Sequence, residues 1–183
     1  MRVALTGTPG VGKTTLAAEA AKNGWRVVDV KAWAKQAGCV VGHDAKDAAD
    51  VIDTARLARK LPRDDGSLVL YEGHLSHLLP VDAVWVVRCD PRVLRGRLEK
   101  RGYSQAKVLE NLEAEALDLI LQEALAAQQR RAHKVVQRDG TRRSASALYS
   151  AFAGVDLDAL KAPDLEPVDW SGQLPFSSAR RSR

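Results

Sequence analysis

Eight residues near the amino end carry the most specific chemistry in the chain: Gly7, Thr8, Pro9, Gly10, Val11, Gly12, Lys13 and Thr14 satisfy G-x-x-x-x-G-K-[ST]. Glycines at these positions let successive backbone N–H groups converge on phosphate oxygens, and a helix starting at the lysine adds its partial positive charge. Lys13 is then expected to reach the β- and γ-phosphates of a nucleoside triphosphate, and Thr14 to ligate Mg²⁺.

Mg²⁺ held against a triphosphate also calls for a carboxylate at the end of a neighbouring strand. Three predicted strands end in one: Asp29, Glu72 and Asp90. Glu72 is the choice, because it ends the most apolar of the three and runs into "GHLSH", which brings His74 to the same loop. Asp90, directly before Pro91, is better suited to starting a helix. A histidine two residues beyond a metal-binding carboxylate is expected to orient water or an acceptor. His77 is three further on, but no third ligand for zinc is apparent, and a packing or hydrogen-bonding role is expected for it.

Phosphoryl transfer further needs mobile positive charge that closes over the γ-phosphate and excludes water. Arg92, Arg95, Arg97 and Arg101 crowd one short predicted helix that leads into "RGYSQAK", with a glycine hinge. Arg101 is the best single candidate for a lid cation. Between the second and third core strands, where small nucleotide kinases bind an acceptor phosphate, Lys31, Lys35 and Lys46 are available. No N-K-x-D guanine signature occurs in the chain, so ATP is the expected nucleotide.

These groups need a scaffold that brings distant segments together. "RVALTG" (2–7), "WRVVDV" (25–30), "SLVLYEG" (67–73), "AVWVVRCD" (83–90) and "HKVVQRD" (133–139) read as strands. Helical spacing is found at 13–24, closed by Gly24, at 31–38, at 44–61, at 91–102, along 104–131 and at 143–154. Alternating strands and helices predict an α/β P-loop fold: a five-stranded parallel sheet with helices on both faces. The expected organisation is one domain over 1–154 and an irregular basic segment over 155–183, with Trp170 and Phe176 as possible anchors.

The 183 residues suit a single domain, and 45% hydrophobic with 28% charged residues is the balance of a globular protein. The net charge of +5 is concentrated in "RRAHK", "RDGTRR" and the terminal "ARRSR", which suits polyanionic partners such as nucleotides or RNA. Cys39 and Cys89 form neither a CxxC nor a disulfide framework and are expected as buried thiols. No leader peptide or membrane span is read in the chain, and the expected location is the cytoplasm.

Taken together, "GTPGVGKTT", "EGHLSHLLPVDAVWVVRCDP" and "LRGRLEKRGYSQAKVLENLEAEALDLILQEA" resemble the atypical adenylate kinase family tied to ribosome biogenesis, with motif order kept over residues 1 to about 127. The Glu-Gly-His run is closer to the archaeal members than to the eukaryotic ones. The resemblance implies an ATP:AMP phosphotransferase with ATPase activity, a monophosphate-binding region at about 31–54 and a short lid at about 100–110. Position by position it implies ATP contacts at Gly10, Gly12, Lys13, Thr14, Thr15 and Arg101, with Glu72 and His74 as the Walker B acid and its histidine. Where relatives often carry an arginine in the monophosphate-binding helix, this chain offers Lys35, a point charge without the bidentate fork. The family also implies a small-subunit ribosomal protein of the uS-eleven type as partner, and a role in small-subunit rRNA maturation. An alternative is an assembly ATPase that remodels that protein and pre-rRNA or the small ribosomal subunit, with kinase activity incidental; a kinase for another small metabolite is a third.

Overall fold

Successive residues of a strand point to opposite faces, and that alternation builds two cores on one sheet. The computed structural model describes residues 1–44, 49–62 and 65–174. In chain order its main elements are β1 (Arg2–Thr6), α1 (Lys13–Lys22), β2 (Arg26–Asp29), α2 (Val30–Gln36), β3 (Val40–Asp44), β4 (Ala49–Ile52) and α3 (Thr54–Arg59). There follow β5 (Val69–Glu72), β6 (Ala83–Arg88), α4 (Pro91–Lys100), α5 (Gln105–Ala116), α6 (Leu119–Arg131), β7 (Lys134–Asp139), α7 (Ala145–Ala153) and β8 (Asp164–Leu165).

Val3 and Leu5 of β1, with Trp85 and Val87 of β6, face Leu16 and Ala20 of α1, Leu94 and Leu98 of α4, Leu112 of α5 and Phe152 of α7. Ala4, Val84 and Val86 face the other way, against Ala34 of α2, Leu57 of α3 and Leu121 and Ala124 of α6. Trp85 stacks on Phe152 with ring centroids 5.0 Å apart, which locks α7 to the sheet. Every residue of β6 is buried, as expected of a parallel strand covered on both faces.

The main sheet runs β2-β5-β1-β6-β7-β8, with all its pairings parallel. The connection from β1 leads to β2 on one side, whereas that from β5 crosses to β6 on the other. The carboxyl ends of these two neighbours therefore open a crevice between diverging loops, the usual place for a ligand in such sheets. Leu5 stands level with Glu72 in the register, so the phosphate loop and the strand-end acid leave the sheet side by side.

Three expectations change. The sheet has six strands, because β8 pairs with β7 from beyond residue 154. Arg138 holds Asp164 at 2.6 Å and Arg143 holds Glu166 at 2.5 Å, so residues 155–174 are tied to the body. Phe176 and the terminal basic run lie outside the described residues. Within the expected helix at 44–61, the described residues from 49 onward form β4, paired antiparallel with β3, and then the short α3. β-branched Val40, Val41, Val51 and Ile52 prefer strands, and Asp53 restarts a helix by accepting from the Arg56 N–H at 2.8 Å. The long helix over 104–131 breaks at Asp118, which takes a left-handed backbone (φ 58°) while its carboxylate pairs with buried Arg88. No described helix is long and apolar enough to cross a membrane.

Candidate active site

The phosphate loop is shaped by two close approaches. A Cβ on Gly7 (φ 141°) would stand 2.4 Å from the Val87 carbonyl oxygen, and one on Gly10 (φ 92°) 2.8 Å from Leu94 Cδ1. Only glycine meets both the backbone and the space requirement there. Gly12 (φ 114°) turns the chain into α1, whose first residue is Lys13. Arg97 of α4 pins the loop from outside, donating to the Val11 carbonyl at 3.2 Å and to the Thr141 carbonyl at 3.3 Å.

Lys13 is buried, and its ammonium donates to the carbonyls of Gly7 at 2.7 Å and Thr8 at 3.1 Å. Burial lowers its pKa from the ordinary 10.5 to about 8; Glu72 and Glu115 oppose that fall and Arg101 adds to it. Thr14 lies in the first turn of α1 with its hydroxyl 3.5 Å from Glu72 Oε1. Burial pushes the Glu72 carboxyl up, with Asp29 nearby pushing the same way against Lys13 and the Thr14 bond. A hydroxyl and a carboxylate at this separation are hard oxygen donors of the kind Mg²⁺ takes, usually one or two from protein and the rest from phosphates and water. The donor set therefore fits the expected ion.

His74 is accessible at the rim, yet enough protein crowds it to lower its pKa, with Lys13, His77, Lys31 and Lys107 adding to the effect. The imidazole is thereby kept neutral near pH 7. His77 is fully buried between Thr6, 3.1 Å from its Nδ1, and Glu123 of α6, 3.0 Å from its Nε2. It ties the loop after β5 to both β1 and α6, the hydrogen-bonding role expected for it. Among the described residues no cluster of three or more His, Cys, Asp or Glu side chains could hold a metal ion.

One cavity of about 900 Å³ takes in Gly10, Gly12, Lys13, Thr14, Thr15, Glu72, His74 and Arg101. Lys31, from the expected acceptor region, and Tyr103, Ser104, Lys107 and Glu110, from the expected lid, also line it. Its volume suits a nucleotide-sized ligand. A smaller cavity of about 350 Å³ lies beside Asp139, Thr141, Arg143, Glu166 and Trp170, where Arg143 is paired with Glu166 and Thr141 is bonded to Asp139.

Lys35 stands apart from the cavity lining. It is 3.1 Å from Asp50 on β4, a carboxylate that also meets Lys31 at 3.6 Å and His43 at 3.4 Å. The Lys35 bond, then His43, holds the Asp50 carboxyl below the usual range. Lys46 lies outside the described residues. Sequence reasoning missed Glu110 and buried Glu115, whose carboxylate accepts from the Thr8 hydroxyl at 2.5 Å. A glutamate among the apolar positions of α5 was the available signal, but nothing local names its partner.

Residues 3–118 match the family model described as AAA domain. A protein named "Putative adenylate kinase" from Archaeoglobus fulgidus is 40% identical over 177 residues, covering 95% of this chain and 94% of its own. A protein of the same name from Methanothermobacter thermautotrophicus is 42% identical over 176 residues, covering 94% and 98%. Among solved structures, deoxyadenosine kinase from M. mycoides, with bound dATP, superposes with a TM-score of 0.51 at 14% identity, over 84% of this chain and 98% of that one. That likeness bears on the fold and agrees with the expected P-loop kinase architecture. Sequence and sheet order thus lead to one conclusion: the chain belongs to the archaeal adenylate-kinase-like family of P-loop nucleotide kinases.

Proposed function

We propose that the protein transfers the γ-phosphate of Mg·ATP to AMP, and to water more slowly. The observation that carries this reading is the single cavity in which the phosphate loop, the Thr14–Glu72 pair and the outlying cations Lys31, Arg101 and Lys107 all meet. Arg101 and Lys107 suit the transferring phosphate, and Lys31, from the expected acceptor region, suits an acceptor phosphate.

In this reading the backbone N–H groups of the loop and Lys13 hold the β- and γ-phosphates, and Thr14 and Glu72 hold Mg²⁺. When bound, that ion would stabilise the negative charge of the transferring phosphoryl group. The acceptor oxygen attacks the γ-phosphorus in line while the bond to the β-bridging oxygen breaks, leaving ADP. Arg101, in a lid over about residues 100–110, approaches the transferring group and displaces water. His74, neutral near pH 7, donates its ring N–H to the acceptor phosphate oxygen, or accepts a hydrogen bond from an attacking water. Lys31 and Lys35, in an acceptor region over about residues 31–54, meet the AMP phosphate once it competes with Asp50 for them. Catalysis here is positioning and charge stabilisation, in one domain whose sheet extends through β8, working in the cytoplasm.

A second reading is supported by the net charge of +5 and the family resemblance. The same ATP cycle would serve small-subunit assembly, with a ribosomal protein of the uS-eleven type and pre-rRNA as partners. ADP formation measured with AMP, with that protein, and with RNA separates the two. Stimulation by AMP supports the kinase; none by AMP but clear stimulation by the protein or RNA replaces it with the assembly ATPase.

A further inference from the structure

Helix α5 begins beside Ser104 at the cavity rim, carries Lys107 on that rim, and ends near Glu115, which meets the phosphate loop. Eight residues separate Lys107 from Glu115, or about 12 Å along a helix. Thr8 and Glu115 are 2% exposed each, and the Thr8 hydroxyl donates to Glu115 Oε2 at 2.5 Å. Glu115 Oε1 accepts from Arg88 Nε and from the Cys89 backbone N–H, each at 2.9 Å. Arg88 also donates to the Glu115 carbonyl at 2.7 Å and to Gln137 Oε1 at 3.0 Å, and Trp170 covers its guanidinium with the ring centroid at 5.0 Å.

A buried ion pair of this kind gains little stability over apolar packing of the same volume. What three donors do give a carboxylate is a single orientation, and with it a fixed place for the hydroxyl that it accepts. The Thr8 carbonyl meanwhile accepts from Lys13 at 3.1 Å, so the residue is held from both its side chain and its main chain. We propose that Glu115 is a positioning residue for phosphoryl transfer: by fixing Thr8 it sets the curvature of the phosphate loop, and through α5 it links that curvature to the cavity rim. The inference rests on the reading that this loop holds ATP. Glu115 touches no reacting atom and acts through Thr8, while its negative charge also favours the Lys13 ammonium.

Titration of a non-hydrolysable ATP analogue, with melting curves alongside, tests the inference on wild type, Thr8→Val, Thr8→Ser, Glu115→Gln and the Thr8→Val/Glu115→Gln double variant. Thr8→Val keeps the shape and removes the donated proton, and analogue affinity is expected to fall about tenfold, the worth of a charge-assisted bond. Thr8→Ser keeps the proton and is expected to restore most of that loss, which a purely structural role would not require. Because both residues act through one bond, the double variant should bind no more weakly than the weaker single one. Thr8→Val affinity within about twofold of wild type, or losses that simply add, overturns the proposal. Should Glu115→Gln not fold, the Val and Ser variants at Thr8 decide alone. Absence of binding by wild type overturns the ATP reading and the proposal together, whereas wild-type binding with an unaffected Thr8→Val overturns the proposal alone.

Discussion

The two ends of the cavity are built differently. At the donor end, Gly7 and Gly10 are forced by contacts with Val87 and Leu94, Lys13 is buried, and Thr8 is bonded to a buried carboxylate. At the proposed acceptor end, Lys31 lines the cavity while Lys35 and His43 lie outside its lining; all three are exposed and share one carboxylate, Asp50, on the antiparallel pair β3–β4. The donor end has its geometry fixed by packing before any ligand arrives. The acceptor end holds its cations in ion pairs that a phosphate could replace, and exposed pairs of this sort are weak. In the proposed transfer the donor phosphates would meet a preformed loop, and the acceptor phosphate a set of replaceable ion pairs.

The largest effect should come from the rigid end. Lys13→Ala is expected to lower ADP formation by about 100- to 1000-fold, the cost of removing a preorganised charge. Steady-state rates with and without AMP check it, and a variant within twofold of wild type would refute the donor assignment. Gly7→Ala comes next: its Cβ would meet the Val87 carbonyl at 2.4 Å, so a loss of about 2–3 kcal/mol in urea denaturation is expected. An unchanged midpoint would mean that the loop is not held as rigidly as the contrast requires.

The pH dependence probes the same rigidity. With its pKa lowered from 10.5 to about 8, Lys13 binds its proton more weakly in the folded than in the unfolded chain. The cost of burying its charge is fully present below about pH 8 and is relieved as pH rises toward 10.5. Relative to Lys13→Met, wild type should therefore gain about 2–3 kcal/mol of stability between pH 7 and pH 10. Denaturant curves at the two pH values measure it; a constant difference would place the ammonium in water. The smallest effect belongs to the exchangeable end. Lys35→Ala is expected to raise the KM for AMP only about threefold to tenfold and to leave the KM for ATP unchanged. An equal rise in both would erase the distinction between the ends.

Much of the rigid end was legible in the sequence, because its signals are local. The glycine spacing, Lys13, Thr14 and an acid ending an apolar strand each depend on a few neighbouring residues, and the structure brings Thr14 and Glu72 together at 3.5 Å. The acceptor end was less legible. Residues 44–61 are rich in Ala, Asp, Lys and Arg and read as an amphipathic helix, yet the β-branched Val51 and Ile52 lie in β4, and Asp53 starts the short α3 only afterwards. The position of Lys35 depends on Asp50, fifteen residues away and on another element. Helix α5 ends where Asp118 adopts φ 58°, a left-handed backbone that Asp tolerates better than most residues, and the carboxylate so placed meets Arg88, thirty residues earlier in the chain.

By itself the sequence determined the order of the five central strands, the phosphate-binding chemistry and its lysine, since periodicity and the loop motif are written in neighbouring residues. Only the tertiary structure decided the rest. It set β1 between β5 and β6, added a sixth strand from beyond residue 154, and joined Thr8 to a glutamate 107 residues later. It also placed Trp170 over Arg88. Side chains so far apart in the chain meet through packing on a shared sheet, and the free energy that selects such meetings is spread over the whole core and not carried by any one segment.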